Sequence, residues 1–202
     1  MLTVVADRTN IWTGDLVRLR AFEPADAEVL HAASRDTESQ RMGSRQVHYP
    51  ASLAATTKNA ERRAEGSTDG YNIQLVIEAL ATGEVAGDIG VHHAEPLHGV
   101  FSYGISILSE HRGKGFASEA IVLLLRYCFL ELRMHKANAG VWAYNEASRA
   151  MHRKLGFVEE GRLRDNIFSN GAHHDEYRFG MTDAEFFARY GRGEITKMSA
   201  TE

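Results

Sequence analysis

Residues 100–130 read VFSYGISILSEHRGKGFASEAIVLLLRYCFL. Positions 100–108 are rich in β-branched and aromatic residues and predict a strand. Beyond residue 115, Ala117, Ala120, Ile121, Leu124, Cys128 and Leu132 recur at spacings of three and four, which predicts a helix over 115–133 with an apolar face. Between them lies Arg112-Gly113-Lys114-Gly115-Phe116-Ala117-Ser118. A glycine turn entering a helix brings backbone N–H groups close to an anion at the positive end of the helix dipole. Arg112 and Lys114 add charge beside those amides, so phosphate or pyrophosphate is the natural ligand. The segment lacks the third glycine of a dinucleotide fingerprint and the Gly-Lys-Ser/Thr ending of a nucleoside triphosphate loop. A plain glycine turn with solvated cations is the alternative.

Working outward, residues 16–22 alternate apolar and polar and predict a strand. A helix follows over 23–34, with Pro24 tolerated in its first turn. Residues 51–65 predict a polar helix, closed by a Gly-Ser-Thr-Asp-Gly turn. Strands over 71–80 and 84–95, joined at Thr82-Gly83, predict an antiparallel hairpin. Downstream come a strand over 136–144 and a short helix, with Asn145 as its N-cap and Gly156 at its C′ position. Two further strands flank Asn170-Gly171, the strongest short hairpin signal. A helix over 183–192 closes the chain. The order β-α-α-β-β-β-α-β-α-β-β-α predicts a mixed α/β sheet protein with helices packed on it.

The chain has 202 residues, 44% of them hydrophobic and 25% charged, which fits one globular domain. Its net charge of −4 argues against nucleic acid as a partner held by bulk charge. No apolar run of about 18 residues exists to span a membrane, and the first residues do not form a signal peptide. A single cysteine, Cys128, excludes an intrachain disulfide and predicts a buried, inert thiol in a reducing, cytoplasmic setting. The expected organisation is a loosely held arm over 1–13, a single domain over 14–192 and a flexible tail over 193–202.

Three motifs together resemble the GNAT superfamily of N-acetyltransferases. Arg112-Gly113-Lys114-Gly115-Phe116-Ala117 is similar to its Arg/Gln-x-x-Gly-x-Gly/Ala turn. NEASRAMHRKLGF (145–157) is similar to its Asn-initiated helix. EGRLRDNIFSNGAHHDEYRFGMTDAEF (160–186) resembles the last hairpin of the RimJ/RimL branch. The resemblance covers roughly residues 14–190. It implies a twisted, mostly antiparallel sheet of about seven strands flanked by helices. It also implies acetyl-coenzyme A as acetyl donor and a homodimer, with Ile11 and Trp12 available to pack on the partner.

The same resemblance assigns the site. The amides of Gly113, Lys114, Gly115, Phe116, Ala117 and Ser118, with the Arg112 side chain, would hold the pyrophosphate. Backbone groups of Ile105, Ser106 and Ile107 would receive the pantetheine arm like an added strand, with a β-bulge there splaying the sheet. Asn145, and Ser148 beside it, would also meet the cofactor. An ammonium acceptor needs a base before it can attack. Many relatives carry a glutamate where this chain has Ser102 beside Tyr103. His92, His93, Asp88 or a water chain are the remaining candidates, and adjacent strand positions put only one of the two histidines on a given face. For the leaving thiolate, His152 occupies the position of a tyrosine donor in many relatives, and Ser148 is the favoured alternative.

The clusters His173-His174-Asp175-Glu176 and His92-His93 lack the spacing of a zinc site, so no metal is expected. The acceptor stays open between a protein N-terminus and a small amine such as a polyamine, an aminoglycoside or an amino-acid-like metabolite. Two other functions compete: a non-catalytic coenzyme A-binding module, and a nucleotide-phosphate binder.

Overall fold

A computed structural model describes residues 10–45, 47–66 and 70–192. The expected tail over 193–202 and most of the expected arm lie outside these residues. Seven strands form one sheet in the order β1-β2-β3-β4-β5-β7-β6. β1 (Val17–Arg20), β2 (Gln74–Ala79), β3 (Val85–Glu95) and β4 (Val100–Ile107) run antiparallel to their neighbours. So do β6 (Val158–Ser169) and β7 (Ala172–Thr182), and β7 with β5 (Lys136–Trp142). Only β4 and β5 run parallel, because α4 (Phe116–Leu130) crosses between them as a β-α-β unit. The mixed, mostly antiparallel sheet expected from the sequence is the one observed.

The helix α4 is the spine of the core. Residues 119–125 are buried all round it, so the one-sided apolar pattern understates its burial. Cys128 sits there fully buried, and burial pushes its thiol up to about 12. Glu119 is also buried, at 1% exposure, on the same helix. Its carboxylate accepts N–H bonds from Asp15 at 2.9 Å and from Leu16 and Val17 at 2.7 Å each. This staple fixes the start of β1 on the core. Trp12 stacks on Tyr127 of α4 with ring centroids 4.4 Å apart. The arm's Trp12 is thus packed on its own chain while staying half-buried.

Turn chemistry placed several junctions correctly. Asn170 and Gly171 adopt φ of 49° and 80°, as a type I′ hairpin needs. Asn145 caps α5 (Glu146–Leu155), accepting from Ser148 N at 3.1 Å, and Gly156 closes it at φ 97°. The opposite sheet face carries α1 (Ala27–Ala33) and α3 (Leu53–Ala64). Between them lies α2 (Thr37–Gly43), a helix the periodicity did not predict. The chain ends in α6 (Asp183–Tyr190). Among the described residues, no helix is long and apolar enough to cross a membrane.

Candidate active site

The sheet opens where β4 leaves β5. The two strands pair over Val100–Lys136, Phe101–Ala137 and Ser102–Asn138, and from Tyr103 onward β4 has no strand partner on that side among the described residues. The splay comes from this early divergence and not from a bulge in β4. The register irregularity nearby belongs to β3, between His92 and Glu95, where His93 takes φ 49°.

Antiparallel pairing decides which backbone groups face the gap. Leu108 N donates to Ala86 O, so the alternation places Ser106 in the β3 ladder and turns Ile105 and Ile107 toward the gap. Two contacts agree with this. Arg112 Nε lies 3.3 Å from Ile107 O, and Gly43 of α2 approaches Ile105 O. Ile105 thus turns both backbone groups to the gap and Ile107 its N–H, the Ile107 carbonyl accepting from Arg112 Nε, whereas Ser106 offers its side chain.

A cavity of about 660 Å³ fills the gap. Its walls include Ile105, Ser106, Ile107, Arg112, Gly113, Gly115, Phe116, Ala117, Ser118, Asn145 and Ser148. These expected cofactor residues come from β4, the glycine turn and the start of α5, and the fold brings them together. Lys114 is not on the wall. Gly113 and Gly115 have φ of 74° and 86°, the left-handed conformation for which the turn needs glycine. A Cβ on Gly113 would meet nothing within 4 Å, so ligand atoms can approach the backbone there. The first amides of α4 have no acceptor within their own helix. With Arg112, and with Lys154 on the far wall, they form a cationic end suited to a pyrophosphate. Lys154 has no ion-pair partner among the described residues.

The unpredicted α2 supplies the cavity's other side through Ser39, Met42 and Gly43. The site itself fastens that helix. Arg112 donates to Ser39 Oγ, Tyr144 Oη donates to Arg41 O at 2.9 Å, and Asn145 Nδ2 donates to Met42 O at 3.0 Å. Both polar atoms of Asn145 are thus engaged by the protein, one as cap and one as clamp. Beyond α2 lies a second cavity of about 640 Å³ that shares Ser39, Gly43, Ser106 and Ile107 with the first. It is lined by Asp36, Asp88 and Glu110. Hydrogen bonds from Ser39 hold Asp36 below the usual carboxylate range, and bonds from its own backbone N–H and from Ser109 do the same for Glu110. Arg63 pairs with Asp88 at 2.6 Å.

The expected catalytic residues separate. Ser148 faces the first cavity. His152, one turn on, does not: it is 3% exposed, buried beside Tyr103, Phe157 and Phe179. Burial lowers its proton affinity. His152 as a direct proton donor is therefore corrected, because its ring does not reach the cavity. His92 lines neither cavity. It pairs across from Ser102, on the sheet face away from α4, with its ring over Gly104. Burial, then the charge of His93, depresses its basicity.

The cluster His173-His174-Asp175-Glu176 resolves into separate contacts. His173 packs on Phe168, His174 on Tyr144, and Asp175 pairs with Arg162. Buried Glu176 accepts from Asn166 at 2.6 Å and pairs with Arg178 at 3.1 Å. Sequence reasoning missed Tyr144, Met151 and Lys154 as cavity residues. The helical spacing of Met151 and Lys154 from Ala147 was the available signal.

A family profile described as an acetyltransferase (GNAT) domain matches residues 17–158. The SPbeta prophage-derived uncharacterized N-acetyltransferase YokL of Bacillus subtilis (strain 168) is 36% identical over 180 residues, covering 89% of this chain and 97% of its own. The putative ribosomal N-acetyltransferase YdaF of the same organism is 29% identical, covering 84% and 93%. Among solved structures, spermidine N-acetyltransferase from Vibrio cholerae in complex with CoA and spermine superposes with a TM-score of 0.73 at 25% identity, covering 85% of this chain and 98% of that one.

Proposed function

The chain belongs to the acetyltransferase (GNAT) domain family and is an acetyl-CoA-dependent acyltransferase, and on that premise we propose how its residues serve the reaction. The cavity between β4 and β5 takes acetyl-coenzyme A. The amides of 113–118 and Arg112 hold the pyrophosphate, and Ile105 and Ile107 pair with the pantetheine amides as a strand would. The observation that carries this reading is the unpaired edge of β4 running straight into two left-handed glycines at a helix N-terminus.

The acceptor is a primary amine that attacks the thioester directly in a ternary complex. A C–N bond forms, the C–S bond breaks, and the sulfur leaves with the electron pair. Ser148 Oγ–H supplies its proton, and water restores the serine. The proton lost by the acceptor nitrogen passes to solvent through water, since His92 lines neither cavity. The RimJ/RimL-like reading, a protein N-terminal α-amine, remains the first candidate acceptor, and the hairpin motif supports it. The carboxylates of the second cavity favour a small cationic amine as the alternative, and the Vibrio cholerae relative is a spermidine acetyltransferase.

A thiol-release assay from acetyl-coenzyme A tests the reading with a panel of amines: N-terminal peptides, spermidine, an aminoglycoside and free amino acids. At least one amine should raise release at least tenfold over hydrolysis. Tight coenzyme A binding with no stimulation by any amine would leave a binding module instead.

A further inference from the structure

The buried His152 ring makes two hydrogen bonds whose direction can be deduced. Its Nδ1 lies 2.7 Å from the Ser148 carbonyl oxygen. A carbonyl only accepts, so Nδ1 carries the proton. Burial disfavours the charged ring, so Nε2, 2.8 Å from Tyr103 Oη, is unprotonated and accepts from the phenol. The ring is therefore locked as one neutral tautomer between β4 and α5. Packing against Phe157 and Phe179 holds its plane.

That tautomer reaches the cavity through Ser148. The Ser148 hydroxyl oxygen lies 3.4 Å from the same Nδ1, its sole hydrogen-bond partner among the described residues. A nitrogen that bears a proton cannot accept from the hydroxyl. The Ser148 proton is thereby left to point into the cavity. We infer that His152 is a positioning residue for acetyl transfer: with Tyr103 behind it, it sets the polarity of the Ser148 hydroxyl so that its proton faces the departing sulfur. The inference rests on the reading of Ser148 as the proton donor. It gives His152 a role without contact to substrate, and it assigns Tyr103 as the group that fixes the ring's tautomer.

Two substitutions separate the ring's two nitrogens. His152→Asn places an amide N–H near the position of Nδ1 and loses the Tyr103 acceptor. His152→Gln places an acceptor near Nε2 and loses the donor to Ser148. Both are compared with wild type in steady-state thiol release from acetyl-coenzyme A, driven by the fastest amine of the panel. Both are measured again in the Ser148→Ala background, with thermal melting as the folding control. His152→Gln should lower kcat about tenfold with KM for acetyl-coenzyme A unchanged, and His152→Asn should stay within about threefold of wild type. The gap between them should vanish in Ser148→Ala. Equal losses in Asn and Gln, or the same gap without the serine, would overturn the inference. If the Gln variant does not fold, a tenfold kcat loss in folded His152→Asn overturns it, and near-wild-type turnover supports it. An unchanged kcat in Ser148→Ala overturns the donor reading itself. A loss in Ser148→Ala with equal Asn and Gln variants overturns the positioning role alone.

Discussion

Two buried acids of similar exposure do different physical work, and only their partners reveal it. Glu176 is balanced by Arg178 and Asn166. Glu119 has no cation among the described residues; it is satisfied by three backbone N–H groups at the start of β1. Space around it is filled: a Cβ on Gly14 would lie 2.4 Å from its carboxyl carbon. Glu119→Ala strips the acceptor from three donors and leaves a void in the core. The expected loss is about 3 kcal/mol, since a buried unsatisfied donor costs roughly 1–3 kcal/mol and some of the three will find water. Thermal melting should fall by about 6–12 °C for a chain of this size. A shift under about 2 °C would show that β1 is held by its sheet partners alone.

At the scale of elements, α2 decides whether the gap is a groove or a cavity. Tyr144→Phe removes one of the three bonds that fasten it, and the ring stays in place. Losing one neutral hydrogen bond costs about 1 kcal/mol, so affinity for acetyl-coenzyme A should fall roughly fivefold by calorimetry. Unchanged affinity would separate α2 from the site. This helix was also the least legible element. Its seven residues, TESQRMG, bury none of their number, so no apolar stripe marks it. The signal present was a cap: Asp36 accepts from Ser39 N, three residues on. By contrast, strands and turns with chemical signatures were legible, among them Asn170-Gly171, Gly156 and the glycines of the anion turn. The point where β4 parts from β5 is a tertiary register, which no local pattern encodes. His152 shows the same limit within a helix. Its match to the tyrosine-donor position of many relatives put it in the site. Met151, one residue earlier and about 100° round the helix, faces the cavity, while His152 turns into the core.

For the molecule as a whole, the proposed cofactor cavity takes one wall from a continuous stretch of chain, and the second cavity is assembled from distant segments. Residues 105–118 form a continuous strand, turn and helix start, so their function is written in one stretch. The second cavity draws on α1, α2, β3 and the end of β4, and its carboxylates carry no motif. The central claim is that acetyl-coenzyme A completes the sheet along the free edge of β4. Amide hydrogen exchange at single-residue resolution, with and without acetyl-coenzyme A, tests this most directly. The account predicts new protection at Ile105, Ile107 and the amides of 113–118, with Ser106 unchanged because it is already bonded to β3. Binding without added protection at Ile105 and Ile107 would contradict it.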